Sequence, residues 1–322
     1  MPVQFGRSAF ISVSEETTYG TESGGSYTDM RLISSTLQKT IERARKTHLN
    51  HGTAGFVRST FDGFNITGGN ITGPFHYAGN GDLMKAALGD QSTSAGPAPY
   101  THSFFPAASP PSLTIRFYRG SAASGNPSLE TFKGCMISTF TLACNAGEEA
   151  TFSAEIIAQD SAARAGSSTS PSFPASAESM LHHQGGSITY NSNTIKIRSF
   201  ELVIDNKLER RNFLGQQITE QPTLSDVREV RLTVTADLED NNFYNDAITT
   251  PSAVESNLTM TFTGGTSPNQ IDITLFNAVL EEYSDNVTGF GRIERSMTFL
   301  ATVNGSDEAL KVDIINGNAS YA

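Results

Sequence analysis

Val230-Arg-Leu-Thr-Val-Thr-Ala-Asp-Leu238 alternates apolar and polar residues without a break, and Asn242-Phe-Tyr-Asn-Asp-Ala-Ile-Thr249 follows it with a different period. Alternation sends successive side chains to opposite faces, so the first stretch reads as a half-buried strand. In the second, Phe243, Tyr244, Ala247 and Ile248 fall at i, i+1, i+4 and i+5, the stripe of a short helix. The same stripe occurs far upstream in Asp82-Leu-Met-Lys-Ala-Ala-Leu-Gly89, where Leu83, Met84, Ala87 and Leu88 supply it. Helix-starting residues precede each copy, Asn80-Gly-Asp82 and Asp240-Asn-Asn242, and their side-chain oxygens suit the free amides of a first turn. Gly89 suits a left-handed cap at the first stop, and Pro251 forbids continuation of the second. Two short helices in a chain otherwise patterned as strands point to a duplicated module.

Composition agrees. A length of 322 residues corresponds to about two domains. A hydrophobic content of 37% supports a sizeable core, and 28 glycines among abundant Ser, Thr and Asn favour a turn-rich β architecture. The formal charge of -11 argues against a stable nucleic-acid binder, because affinity for phosphates comes from Lys and Arg, although it allows a surface past which nucleic acid slides. No stretch is long and apolar enough to span a bilayer and Met1-Pro-Val-Gln-Phe-Gly-Arg7 lacks a leader pattern, so the expectation is a soluble compartment with no membrane. Cys135 and Cys144 stand an odd number of residues apart in one alternating run, on opposite faces, and read as reduced thiols.

Taken in order, residues 1–30 show little periodicity and read as a loosely packed arm. A strand-like run leads into Glu42-Arg-Ala-Arg-Lys46, where a solvated or partner-facing helical turn fits. From Phe64 to Thr72 the alternation crosses Gly68 and Gly69, which suits a bulge or a close backbone approach. After the first helix, residues 90–112 read as a long loop with an aromatic island, an arrangement that usually serves an interface. Leu113, Ile115 and Phe117 mark a strand; Met136, Phe140, Leu142 and Cys144, then Phe152, Ala154 and Ile156, mark a hairpin turning at Asn145-Ala-Gly-Glu148. The Ser/Ala/Pro-rich residues 161–180 are a linker. Beyond it the order returns: a hairpin at Asn191-Ser-Asn193, a strand with Phe200, Leu202 and Ile204, the charged Lys207-Leu-Glu-Arg-Arg211, the opening strand and helix, then Leu258, Met260 and Phe262, a hairpin over 271–303, and a last strand over 310–315. The expected fold is mainly β, with two tandem antiparallel β-sandwich or half-barrel modules, each with one short flanking α-helix and long loops. The expected division is an arm over 1–30, a first module over 31–160, the linker, and a second module over 181–322.

On this order the sequence resembles the tail tube proteins of long-tailed, siphovirus-like bacteriophages. The resemblance is carried by Asp62-Gly-Phe-Asn-Ile-Thr-Gly-Gly-Asn-Ile-Thr-Gly-Pro74 followed by the turn over 75–81 and the first helix, by the step Gly134-Cys135 into a strand, and by Ser199-Phe-Glu-Leu-Val-Ile-Asp-Asn206. It covers most of residues 31–315. The second helix departs from the pattern, being more polar and lacking the Gly stop. The resemblance implies two packed antiparallel sheets with a flanking helix, and rings whose inner sheets join as a barrel and stack into a tube for genome delivery. It implies a virion protein assembled in the host cytoplasm, with itself, tape measure, terminator and distal tail proteins as partners and genomic DNA only in transit. Single-module members make six-subunit rings, so a two-module chain is expected to make a ring from three copies.

Candidate interface residues are the aromatic island, Tyr100, Phe104 and Phe105, which would anchor a contact between subunits, and two basic clusters. These are Arg43, Arg45 and Lys46, and Lys207, Arg210 and Arg211, which would pair with acidic surfaces of a neighbour. No catalytic, cofactor or metal site is expected. His48 and His51, and His182 and His183, lack further ligands nearby, and the doublets Glu148-Glu149 and Glu281-Glu282 fit hairpin solvation. The alternatives are a β-sandwich enzyme, disfavoured by the lack of Trp and of a convergent motif, and a surface decoration or binding module of a phage or capsid.

Overall fold

The computed structural model describes residues 6–45, 60–120, 127–166, 169–173, 181, 183, 186–191, 193–239, 242–245, 255–264, 269–287, 289–303 and 308–321. The first half runs β1 (Phe10–Glu15), β2 (Thr28–Arg31), β3 (Ser34–Ser35), β4 (Gln38–Arg45), β5 (Thr60–Pro74), α1 (Gly81–Leu88), β6 (Gly89–Thr93) and β7 (Tyr100–Pro106). It continues through β8 (Leu113–Tyr118), β9 (Pro127–Asn145), β10 (Thr151–Ala158), β11 (Asp160–Ser161) and β12 (Ala165–Gly166). The second half runs β13 (Gly186–Tyr190), β14 (Asn193–Ile195), β15 (Ile197–Asp205), β16 (Leu208–Arg211), β17 (Glu220–Leu224) and β18 (Glu229–Asp237). After α2 (Asn242–Tyr244) come β19 (Glu255–Thr263), β20 (Gln270–Ser284), β21 (Glu294–Thr302) and β22 (Leu310–Asn316).

The principal sheet is antiparallel throughout, in the order β4–β5–β10–β9–β15–β18–β21–β20. Its inner face explains the sequence alternation. One row across it is Ile71, Ala154, Phe140, Ile204 and Val230; the next is Gly73, Phe152, Leu142, Leu202, Leu232 and Phe299. All eleven residues are buried. Each buried large apolar side chain stabilises the fold by about 1.5–3 kcal/mol, which fixes the register, since a slip by one residue would turn these rows to solvent.

Two strands belong to two sheets each. The first part of β9 pairs with β8 on one edge and with β11 and β12 on the other, and its second part lies between β10 and β15. The first part of β20 lies between β19 and β22, and its second part pairs with β21. The pairing order β1–β8–β9–β10–β5–β4 therefore has a counterpart of the same form in β13–β19–β20–β21–β18–β15. The hairpin β16–β17 is a separate small sheet.

Several expectations change. The arm over 1–30 contains β1, in which Phe10, Ile11, Ser12, Val13 and Ser14 are all buried between β2 and β8. Burial on both faces removes the alternation that would have marked it. The charged stretch at Glu42 lies in a strand, the exposed β4 paired to β5, where a helical turn was expected. Residues 90–112 are not a loop: β6 and β7 form a hairpin, and β7 pairs with β22. Of the second helix, Asn242–Tyr244 is helical, and the residues past 245 in that stretch lie outside the described ones. Gly68 and Gly69 do allow a close approach: both hold positive φ, and a Cβ at Gly68 would lie 2.3 Å from the Ile156 carbonyl oxygen.

α1 is shorter than an isolated helix could sustain, so burial holds it. Leu83, Met84, Ala86, Ala87 and Leu88 are fully buried, and the helix contacts β1, β6, β7 and β9, leaving no outer edge for a neighbour apart from Lys85, itself paired with Glu15. Asn80 does not cap the first turn; its side-chain oxygen accepts from the His76 amide at 2.6 Å. Gly89 does close the helix at positive φ, donating to the Lys85 carbonyl. The neighbouring carbonyls are satisfied from the other half of the chain. Asn206 donates to Ala87 at 2.9 Å and Arg228 to Leu88 at 3.2 Å.

Candidate assembly surface

The outer face of the principal sheet is the reverse of its core. One row reads Asn70, Glu155, Thr139, Asp205 and Glu229; the next Thr72, Ser153, Thr141, Val203, Arg231 and Leu300; the next Thr151, Ala143, Glu201, Thr233, Thr298 and Glu282. Hydroxyls and carboxylates dominate, and Glu155, Glu201 and Glu282 are exposed. The cations there are held by paired acids. Arg231 meets Glu229 at 2.9 Å and Glu281 at 3.1 Å; Arg198 meets Asp237 at 2.7 Å and Glu294 at 3.3 Å. The bond to Glu281 holds Arg231 above the usual guanidinium range, and the bond from Arg198 holds the Asp237 carboxyl below its own. With each arginine outnumbered by its acids, the face carries negative charge.

The sheet ends in two strands that are paired on one side only among the described residues. On one side stands β4, bonded to β5, with six of its eight residues exposed. On the other stands the end of β20, where Glu281, Glu282 and Ser284 are exposed beyond the last pair with β19, Glu255 to Val279.

The candidate interface residues separate into distinct environments. Phe104 is fully buried in the chain's own core, whereas Tyr100 and Phe105 are half-buried on the same strand. Arg43 and Arg45 project from the exposed β4, Arg43 against Asp62 at 3.2 Å, and Lys46 lies outside the described residues. Lys207 is held by Asp205 at 2.7 Å, and Arg211 lies over the Phe213 ring at 5.4 Å. Arg210 is committed internally, donating to the Thr67 carbonyl at 2.5 Å; burial lowers its pKa. Arg43 and Arg45 of the first basic cluster thus face outward, and the second cluster is largely engaged within the chain. His48, His51 and His182 lie outside the described residues, and among those described no group of His, Cys, Asp or Glu is arranged to hold a metal. Glu148 and Glu149 are exposed at the β9–β10 turn as expected, whereas Glu281 sits in a bulge of β20. Both cysteines are free and buried.

Sequence reasoning missed the groups that hold β9 at its passage between sheets. The Glu16 carboxylate, almost fully buried, accepts from the Gly134 amide at 2.8 Å, Thr114 at 2.9 Å, Ser112 at 2.7 Å and the Gly20 amide at 2.9 Å. Asn206 binds the Ile137 carbonyl at 2.9 Å. Gly134 and Asn206 did stand in the motifs quoted from the sequence, but Glu16 fell in a stretch with no pattern.

The model of a protein family described as phage tail tube protein matches residues 6–305, which takes in both strands that pass between sheets and both ends of the principal sheet. The chain belongs to the phage tail tube protein family. The tail tube resemblance of the sequence and the mainly antiparallel β fold agree with that membership. As a tail tube protein it is a structural component of a bacteriophage virion, which assembles with itself and meets other components of the tail. No curated protein matches the chain. Among the described residues no helix is long and apolar enough to cross a membrane.

Proposed function

We propose that this tail tube protein polymerises into stacked rings of three chains, each chain supplying two tandem tube modules, and that the rings enclose a hollow conduit for the genome. The observation that carries the reading is the recurrence of one strand-pairing order in the two halves, joined edge to edge through β9 and β15 into one sheet. A sheet that ends in two uncovered edges invites pairing, and closure into a barrel removes both. Two modules per chain make three chains equivalent to a six-module ring. The negative outer face suits a lumen, since carboxylates there would repel DNA phosphates and keep the genome from adhering in passage. Tape measure, terminator and distal tail proteins would meet the tube at its ends or within it.

The test is electron microscopy of the purified chain across a concentration series, with mass determination of the rings. Stacked hollow tubes whose rings contain three chains are expected. Rings of six chains would defeat the two-module arrangement, and a monomer that persists at high concentration would move the function to a surface decoration or binding module.

A further inference from the structure

We infer that the contact between neighbouring chains is a continuous antiparallel ladder in which the end of β20 pairs with β4 of a second copy, in the register of the chain's own β9–β15 junction. The inference rests on the ring reading above and specifies its joint.

The register follows from two equivalent rows. In the first half the row is Thr36, Asn70, Glu155 and Thr139, with the Thr36 amide donating to the Asn70 carbonyl at 2.8 Å. In the second half it is Glu201, Thr233, Thr298 and Glu282. Each row ends beside a β-bulge, which leaves Ser138 of β9 without a partner residue in β10 and Glu281 of β20 without one in β21, so the two rows occupy the same place in their halves. Within the chain, Thr139 pairs with Asp205, four residues past the Glu201 that opens the second row. By the same step Glu282 pairs with Thr40 of the next copy, four residues past Thr36, and Ser284 pairs with Gln38.

Strand direction permits it, since β4 and β15 hold the same position in their halves and both run antiparallel to the strand they would join. Space permits it too. β15 takes the edge of β9 that β8 leaves at Cys135, and β20 presents the corresponding edge past Val279, where β19 leaves it.

Within the template the Asn206 amide donates to Ser138 at 2.8 Å and the Ala146 amide to Arg198 at 2.6 Å, so even-numbered pairs are the hydrogen-bonded ones. Thr141 with Val203 is then a non-hydrogen-bonded pair, with Cα atoms about 4.5 Å apart, a spacing that a disulfide can bridge. Its equivalent is Ser284 with Gln38 of the next copy, both exposed in the single chain.

The experiment assembles a Ser284→Cys, Gln38→Cys double variant, oxidises it mildly and separates it on a denaturing, non-reducing gel. A ladder of covalently joined chains that ends at three is expected, with neither single variant extending beyond a dimer. An offset pair, Ser284→Cys with Thr40→Cys, should give at least tenfold less. Tubes that form without the ladder, or that crosslink better through the offset pair, overturn the register and leave the ring reading standing. A double variant that stays monomeric while the native chain assembles also counts against the joint if Ser284→Ala with Gln38→Ala assembles normally. Failure of the native chain to assemble overturns the ring reading itself.

Discussion

His76 shows how one residue sets a response to acid. Its ring is buried, neither ring nitrogen has a hydrogen-bond partner among the described residues, and burial, helped by the Arg31 charge, pulls its pKa from 6.5 down to about 4. An unfolded chain takes up the proton below pH 6.5, whereas the folded one resists until about pH 4. The stability from the neutral ring is therefore complete above pH 6.5 and is lost as pH falls toward 4, by about 3 kcal/mol in all. Denaturant titrations of the single chain at pH 7 and pH 4.5 should show this loss, and His76→Phe, which cannot protonate, should remove most of the His76-linked part. An unchanged pH slope in that variant would show that the ring titrates freely in the fold.

At the scale of elements, the hairpin β6–β7 is where sequence and structure part most clearly. Only His102 and Phe104 of β7 are buried, one of them polar, and the strand's partner β22 lies at the other end of the chain. Neither fact leaves a local pattern. The His102 ring is accommodated because its nitrogens meet Thr93 at 3.0 Å and the Asn318 carbonyl at 3.0 Å. Strands whose partners bury one face, such as β15, β18 and β21, were legible, because alternation records one-sided burial. β1, buried on both faces, and the charged half of the exposed β4 were not. Deleting residues 91–111 would consequently strip β22 of a partner and open the core, so point substitutions are the better probe. Phe104→Ala should lower the stability of the single chain by about 3–5 kcal/mol, as expected for a buried aromatic, and Phe105→Ala by less than about 1.5 kcal/mol. Denaturant unfolding checks both; a larger effect at Phe105 would mean that the hairpin is turned over.

For the whole molecule, the mainly β architecture and the acidic balance were open to reading from the sequence, while the placement of charge was not. Net charge said nothing of which carboxylates share a face; the ladder rows supply that, gathering Glu155, Glu201 and Glu282 with the hydroxyls between them. If that face lines the conduit, tubes of a Glu155→Lys, Glu201→Lys double variant should retain a labelled DNA duplex at low ionic strength and release it as salt rises, and native tubes should retain none. Filter retention of assembled tubes measures this. Equal retention by both would place the face away from the DNA path.

The passage of β9 and β20 from one sheet into the next also has a mechanical meaning. In a sandwich of separate strands, two layers resist sliding only through side-chain packing and loops. Here each corner is a single extended backbone, 19 residues long in β9 and 15 in β20. A load that bends or twists the wall would then pass between layers along peptide bonds, and shear would have to stretch covalent chain before it could part the core.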